Sequence, residues 1–116
     1  MTSTLDDVVP RPFLVMTRTT TGPDDMPELV EIAEESAPIF ARQPGFVGSE
    51  IFASTDQTRL VTLLRWRREA DHVACMKSPD FDELSTRLSR LIDDGRAGFE
   101  AHVLVRVGTV DAGQYQ

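Results

Sequence analysis

The segment between Gln43 and Trp66 constrains the fold more than any other part of the chain. It begins with Pro44-Gly45, a dipeptide that ends a preceding helix. Two apolar runs at 46–53 and 59–66 follow, and a short polar segment joins them. Two strand-like runs connected in this way predict a β-hairpin. Strand alternation assigns one face of the second strand to Leu60, Thr62, Leu64 and Trp66.

Length and composition indicate one folded domain. The chain has 116 residues, of which 41% are hydrophobic and 27% charged, as in ordinary globular proteins. Its net charge of −7 repels phosphate backbones, so nucleic acid is not expected as a partner. No apolar run reaches the roughly 18 residues of a membrane span, and the acidic N-terminus does not resemble a secretory signal. Cys75 is the only cysteine, which excludes an internal disulfide and a multi-cysteine metal site and favours a cytoplasmic location.

The first third of the chain predicts an arm, a strand and a helix. Residues 1–11 have no periodicity and are expected to form a flexible arm. A first strand is expected at 13–19, and a helix begins near Pro23. The apolar stripe of this helix contains Met26, Leu29, Val30, Ala33, Ala37 and Phe40. Because Pro38 cannot donate to the carbonyl of Glu34, we expect the helix to kink or break there.

The part of the chain after the hairpin predicts two helical segments and a final strand. A short helix is expected at 67–76, and Ser78-Pro79 suits the N-cap and first position of another. The apolar stripe of this second helix contains Phe81, Leu84, Leu88, Leu91 and Ile92. Gly95 suits its C-terminal end. A strand at 99–107 and a polar tail at 108–116, expected to be disordered, complete the chain.

The resulting order, β-α-β-β-α-β, is that of the ferredoxin-like α+β fold, an antiparallel sheet with helices on one face. We expect this domain to span residues 12–107. Several of its strands carry apolar residues on both faces, whereas the uncovered face of such a sheet is ordinarily polar. A second copy of the chain would cover the second apolar face, so we expect a homodimer.

Three features of this pattern resemble the antibiotic biosynthesis monooxygenase (ABM) family. They are the Pro44-Gly45-Phe46 turn, the strand-end Trp66, and the helix that begins with Ser78-Pro79-Asp80-Phe81. The resemblance covers roughly residues 12–107. It implies a dimeric α+β barrel, with a pocket in each protomer between its sheet and its helices.

The residues argue against the haem-degrading branch of that family. Members of that branch use an Asn on the first strand, a Trp on the helix after the hairpin, and a His farther along. This chain contains no Asn, and its only Trp ends a strand. The two later positions hold Cys75 and Ser85. All three haem-site residues are therefore missing.

The quinone-forming branch, which acts on aromatic polyketides, is the better match. Its strand-end Trp corresponds to Trp66, and the Asn four residues earlier is replaced by Thr62. The aromatic residue on its next helix lies near the position of His72, and an Arg on the following helix corresponds to Arg87 or Arg90. The resemblance implies Trp66, His72 and Thr62 as catalytic residues. The implied substrate contacts are Arg87, Arg90, Phe81, Leu84, Leu88 and Phe52.

The implied reaction needs neither a metal nor a flavin, so no cofactor is expected. Deprotonating a phenol or an anthrone gives a delocalised anion that passes an electron to O₂. The protein would supply a dry pocket, a donor that stabilises the anion, and a proton relay. The expected small molecules are a hydrophobic aromatic substrate and O₂. Each candidate also has a structural alternative, with Trp66 as a core residue, Thr62 as a strand former and His72 as a solvated side chain.

Two other functions remain open from the sequence. The same dimeric domain could bind a hydrophobic ligand without catalysis, or it could catalyse a cyclisation or isomerisation with acid–base groups alone. Thr62 in the place of an Asn favours these alternatives, as does the absence of any tyrosine other than Tyr115 in the tail.

Overall fold

The computed structural model describes residues 12–115, and the arm predicted at 1–11 lies outside the described residues. The elements, in chain order, are β1 (Phe13–Thr21), α1 (Met26–Ala41), β2 (Phe46–Ala53), β3 (Arg59–Trp66), α2 (Glu69–Met76), α3 (Asp82–Asp93) and β4 (Ala97–Leu104). Short 3₁₀ turns lie at Pro79–Phe81 and Ala112–Tyr115. The strands form one sheet in the order β2-β3-β1-β4, with each neighbouring pair antiparallel. The predicted ferredoxin-like α+β fold is confirmed.

The hairpin between β2 and β3 forms as the sequence predicts, and its loop is held by short polar side chains. The Asp56 carboxylate accepts hydrogen bonds from the Thr58 hydroxyl at 2.6 Å and from the Ser54 hydroxyl at 2.7 Å. These two hydrogen bonds lower the pKa of Asp56 to about 2, and the bond from Thr58 has the larger effect. Gln57 takes a positive φ of 60° at the tip of the loop.

Helix α1 differs from the prediction in two ways. It begins at Met26 rather than near Pro23, with Pro27 in its first turn, where a missing N–H costs nothing. It also continues through Pro38 to Ala41, so the predicted break does not occur. Pro38 lies in the last turn, where its ring removes one hydrogen bond, and the buried Phe40 anchors that turn to the core.

The ends of the later elements follow local capping chemistry. The hydroxyl of Ser78 accepts from the backbone N–H of Asp80 at 3.3 Å, as expected for an N-cap. It caps the 3₁₀ turn Pro79–Phe81, however, and α3 begins at Asp82, three residues later than predicted.

Helix α3 ends at Asp93, and Gly95, two residues later, has a φ of 74°. The Arg96 N–H donates to the Leu91 carbonyl at 2.8 Å. This hydrogen bond and the positive φ form a Schellman motif, which ends the helix and directs the chain back towards the sheet within two residues. Strand β4 therefore begins at Ala97, two residues before the predicted start.

Strand β4 also ends earlier than predicted, at Leu104 rather than at residue 107. The reason is its partner, since Leu104 pairs with Leu14, close to the first residue of β1. Helix α2 begins at Glu69, two residues later than predicted. No helix within residues 12–115 is long and apolar enough to cross a membrane.

The helices cover one face of the sheet, and the core beneath them has two parts. The aliphatic cluster consists of the buried residues Met26, Leu29, Ile32, Leu60, Leu84 and Leu91. The aromatic cluster consists of the buried residues Val15, Phe40, Leu64, Trp66 and Cys75, with Phe13, Phe46 and Phe81 packed against them. Within β3, Leu60 belongs to the first cluster and Trp66 to the second, so the clusters lie at opposite ends of the sheet.

Candidate functional site

Trp66 lies at the centre of the aromatic cluster because of its register in the sheet. As the last residue of β3, it pairs with Phe13 on one side and with Phe46 on the other. A register shift at Val47 bulges β2 between Phe46 and Gly48. Paired residues of antiparallel strands share a face, so three aromatic residues from three strands meet on the side that the helices cover.

Aromatic rings surround the indole of Trp66. The ring centroid of Phe46 lies 5.2 Å away at an interplanar angle of 75°, and that of Phe40 lies 6.0 Å away at 70°. The His72 ring lies 5.8 Å away at 62°. Edge-to-face packing is favourable because the positive edge of one ring meets the negative face of another. Together these rings leave 0% of the surface of Trp66 exposed to solvent.

The indole N–H of Trp66 is buried, and no group within residues 12–115 accepts a hydrogen bond from it. A buried donor without an acceptor costs about 1–3 kcal/mol, and native proteins rarely keep one. A phenylalanine would fill most of the same space without this cost. The orientation of Trp66 therefore provides a desolvated hydrogen-bond donor beside an imidazole ring.

His72 is the titratable side chain that contacts this indole. Its ring also packs 5.7 Å from the ring of Phe13. Desolvation by partial burial lowers the pKa of His72 below its ordinary value of 6.5, against a smaller opposing effect of Glu69. The imidazole is thus neutral at pH 7, the form that accepts a proton.

A close contact between α2 and the loop before β2 holds His72 in place. Gly45 has a φ of 81°, and a Cβ atom at this position would lie 2.1 Å from an Asp71 carboxylate oxygen. The Gly45 carbonyl also accepts from the Arg67 N–H at 2.8 Å. Only glycine combines this φ with this approach, so Gly45 fixes the start of α2 against the sheet.

The remaining predicted catalytic residue, Thr62, lies farther down the same face of the sheet. It is half-buried and pairs with Thr17 of β1 and with Ile51 of β2. On this face of β3 one residue, Leu64 of the aromatic cluster, lies between Thr62 and Trp66. The register therefore assigns Thr62 to the middle of the sheet.

The three predicted contacts from the apolar stripe near α3 divide between the two clusters. Phe81 packs against the aromatic cluster, with its ring centroid 4.6 Å from that of Phe40. Leu84 is buried in the aliphatic cluster, and Leu88 packs against it. The three side chains therefore do not all cover Trp66. Phe81 lies at the end of the sheet that carries Trp66, and the residues one and two helix turns later lie towards the opposite end.

The two predicted arginines lie away from Trp66. Arg87 donates to the Glu35 carboxylate at 2.5 Å and lies 3.5 Å from that of Glu31, both on α1. Arg90 is exposed, and with Arg87 it lines an open polar groove between α1 and α3. These ion pairs join the two helices on their outer side.

Phe52 requires a correction, because it lies on the sheet face opposite the helices. It pairs with Val61, one residue from Thr62, and is 53% exposed. A pocket between the sheet and the helices cannot include it. Period two assigns neighbouring strand residues to opposite faces, and the register of β2 could be settled only once the bulge at Val47 was known.

A second correction concerns the cavity expected beside Trp66. Phe13, Phe40 and Phe46 fill the space around the indole, so Trp66 does not line an open pocket. A cleft with a volume of about 700 Å³ lies at the adjoining end of the sheet. Phe13 lines it together with residues of 67–69 and 103–109. Because the Phe13 ring also contacts His72, the cleft and the aromatic cluster share a wall.

Sequence reasoning missed Phe13 and Phe46 as site residues, although a signal for both was present. Each is the first residue of its strand, and Trp66 is the last residue of the strand between them. Antiparallel pairing of such ends brings the three side chains together. Within residues 12–115, no three His, Cys, Asp or Glu side chains are grouped in a way that suits a metal ion.

Comparisons with known proteins agree on the fold. The chain is similar to the crystal structure of SnoaB, a cofactor-independent oxygenase from Streptomyces nogalater, with a TM-score of 0.70 and 20% identity over 85% of this chain and 96% of that one. It is also similar to Rv0793 from Mycobacterium tuberculosis, with a TM-score of 0.72 and 18% identity over 87% of this chain and 100% of that one. At these identities the likeness concerns the fold alone. A search of curated protein sequences gave no significant match.

A family model is more specific than these structural likenesses. The model described as antibiotic biosynthesis monooxygenase matches residues 12–87. This range contains β1, the hairpin, all of the aromatic cluster and the first half of α3. The match covers more than half of the chain, and the ferredoxin-like topology agrees with it. The chain belongs to the antibiotic biosynthesis monooxygenase family.

Proposed function

We propose that this protein is a cofactor-independent monooxygenase that oxidises an electron-rich polycyclic aromatic molecule of the polyketide type. The observation that carries the proposal is the buried indole N–H of Trp66, which has no acceptor within residues 12–115 and lies beside the neutral imidazole of His72. A donor and a base at one desolvated position are the two groups that phenol or anthrone oxidation requires.

In the proposed reaction, His72 removes a proton from the substrate, and the Trp66 N–H stabilises the oxygen anion that forms. The delocalised anion gives one electron to O₂, and recombination forms a carbon–oxygen bond. Loss of water then leaves the quinone. For an anthrone the balance is R₂CH₂ + O₂ → R₂C=O + H₂O, so the substrate supplies all the electrons.

The aromatic cluster suits a flat substrate. Because its rings enclose Trp66, a substrate can reach the indole N–H only if some of these rings move. Ring faces and edges from Phe13, Phe46 and Phe81 offer stacking surfaces without competing polar groups. Because Trp66 is enclosed, we propose that the substrate enters from the cleft and displaces the rings of Phe13 and His72. Apolar walls would then exclude water while the anion exists.

Oxygen uptake with a simple anthrone tests the proposal. The purified chain, treated with a chelator, should accelerate oxidation of 1,8-dihydroxyanthrone and consume one O₂ for each quinone formed. Replacing His72 by Gln should lower the rate by about 100- to 10,000-fold, the usual contribution of a general base. Oxidation no faster than in buffer would contradict the proposal.

One observation favours a second candidate, a non-catalytic module that binds a hydrophobic ligand. The cleft of about 700 Å³ is lined by Phe13 rather than by Trp66, so a ligand can occupy it without reaching the buried N–H. Tight binding of the anthrone without oxygen uptake would support this alternative. An acid–base cyclase or isomerase would instead convert its substrate in the absence of O₂.

We also propose that the protein is a homodimer formed by the sheet face opposite the helices. Apolar side chains such as Phe52, Val61 and Leu63 lie on this face. Ion pairs flank them, between Arg18 and Glu100 and between Arg65 and Glu50. Light scattering should give twice the mass of 12.9 kDa at micromolar concentration, and a monomer would contradict this proposal.

A further inference from the structure

The cleft at the end of the sheet has a charge that differs from that of the whole chain. Three arginines line it, Arg67, Arg68 and Arg106, against one acidic residue, Glu69. The full chain has a net charge of −7. A positive cleft in an acidic protein attracts anions locally while the remaining surface repels them.

Two of these arginines form no ion pair with another residue of 12–115. Arg68 lies 3.6 Å from the Asp71 carboxylate. Arg67 and Arg106 are exposed, and neither forms an ion pair with any residue of 12–115. Guanidinium groups prefer planar oxygen anions, which they bind through two parallel hydrogen bonds.

Most of the other residues that line the cleft are apolar. They include Phe13 and Leu14 of β1, Val103 of β4, and Val105 and Val107 after β4. A ligand that suits both features has a flat apolar body and one carboxylate. A small inorganic anion would leave the apolar wall in water, and a neutral hydrocarbon would leave the guanidinium groups without a partner.

We propose that the cleft binds a polycyclic aromatic carboxylate, with the carboxylate held by Arg67 and Arg106. The inference rests on the proposed function, since it names the class of substrate. Phe13 forms part of the cleft, its ring lies 5.7 Å from that of His72, and His72 lies 5.8 Å from Trp66. A molecule anchored at the arginines thus extends its aromatic body towards the reacting groups, and its carboxylate stays at the mouth.

Binding of two matched probes tests the inference without any turnover. Naphthalene-2-carboxylate and naphthalene-2-carboxamide have nearly the same shape, and only the first is charged at pH 7.5. Calorimetric titration of the full chain should show the carboxylate binding about tenfold more tightly at low salt, as expected for charge-assisted hydrogen bonds. The preference should shrink as salt is added, because the arginines are exposed.

Substitution of Arg67 and Arg106 gives the decisive comparison. The double variant Arg67→Gln with Arg106→Gln should bind both probes with the affinity that the wild type has for the carboxamide. Arg59→Gln removes the same charge at the far end of β3, and this control should keep the preference. Unchanged melting temperatures would establish that all variants are folded.

Equal affinity of the wild type for the two probes would overturn the inference, and so would no binding of either. A double variant that keeps the preference would overturn it as well. Failure of the proposed function would give a different result. A protein that prefers the carboxylate but takes up no oxygen would support the inference about the cleft and contradict the proposed oxygenase activity.

Discussion

The two halves of the core lie on the same sheet face but differ in chemistry. The aliphatic cluster, built around Leu60, Leu84 and Leu91, contains no side chain with an N–H or O–H donor. The aromatic cluster contains an unpartnered N–H at Trp66, and His72 contacts it. A cluster that served only for stability would have no reason to bury an N–H donor without an acceptor, and the aliphatic cluster has none. We therefore propose that one end of the sheet serves stability alone and that the other end carries the proposed reaction.

Truncation at matched positions tests this division most strongly. Leu84 and Phe40 are similarly buried, one in each cluster. Leu84→Ala should lower the free energy of unfolding by about 2–5 kcal/mol, and Phe40→Ala by about 3–5 kcal/mol. Urea unfolding measures both losses. Oxygen uptake per folded molecule should fall only in Phe40→Ala, because Phe40 packs against Trp66, and an equal fall in both variants would remove the distinction.

Disrupting the contact at Gly45 should lower both stability and activity, by less than the truncations of Leu84 and Phe40. Gly45→Ala forces a non-glycine residue to a φ of 81° and brings its Cβ against Asp71, so we expect a loss of at least about 1–2 kcal/mol. Displacement of α2 should also lower turnover. Gly48→Ala is the matched control, since a Cβ there meets nothing within 4 Å.

The two glycine variants are compared by thermal unfolding and by oxygen uptake. Gly48→Ala should change the free energy of unfolding by no more than about 0.5 kcal/mol. If Gly45→Ala behaved like this control, the loop before β2 would not fix α2. The position of His72 would then need another explanation.

His72 predicts a weak dependence of stability on pH. Burial lowers the pKa of His72 in the folded state below 6.5, so the unfolded chain binds a proton more readily. The stabilisation is complete above pH 6.5 and is lost as the pH falls through the lowered value. Urea unfolding from pH 8 to pH 5 should show a smaller loss in His72→Gln than in the wild type, and the same loss in both proteins would contradict this assignment.

The fold could be predicted from sequence because its signals are local. Alternation located the strands, helical spacing located the helices, and Ser78 and Gly95 marked where helices begin and end. Boundaries that depend on a partner could not be predicted. Strand β4 ends where β1 begins, and α1 passes through Pro38 because the buried Phe40 holds its last turn.

The candidate site was predictable only where it lies within one element or its immediate neighbour. Trp66 and His72 are six residues apart, and the structure brings them together. Phe13 joins the cluster because β1 pairs with β3, two strands that are not consecutive in the chain. Phe46 joins it through the pairing of β2 with β3, whose register shifts at Val47. Arg87 was expected near the substrate, but Glu31 and Glu35 lie on a neighbouring helix and draw it to the outer surface.

Turnover in Trp66→Phe tests the central claim most directly, because this change keeps most of the buried area and removes only the N–H donor. Leu64→Ile is the matched control, since it alters the same cluster without touching a hydrogen-bonding group. Oxygen uptake with 1,8-dihydroxyanthrone should fall by about 10- to 1000-fold in Trp66→Phe, the range for losing one donor to a developing anion. The fall in Leu64→Ile should be much smaller. Equal rates in Trp66→Phe and the wild type, with both proteins folded, would contradict the assignment of Trp66 to the reaction.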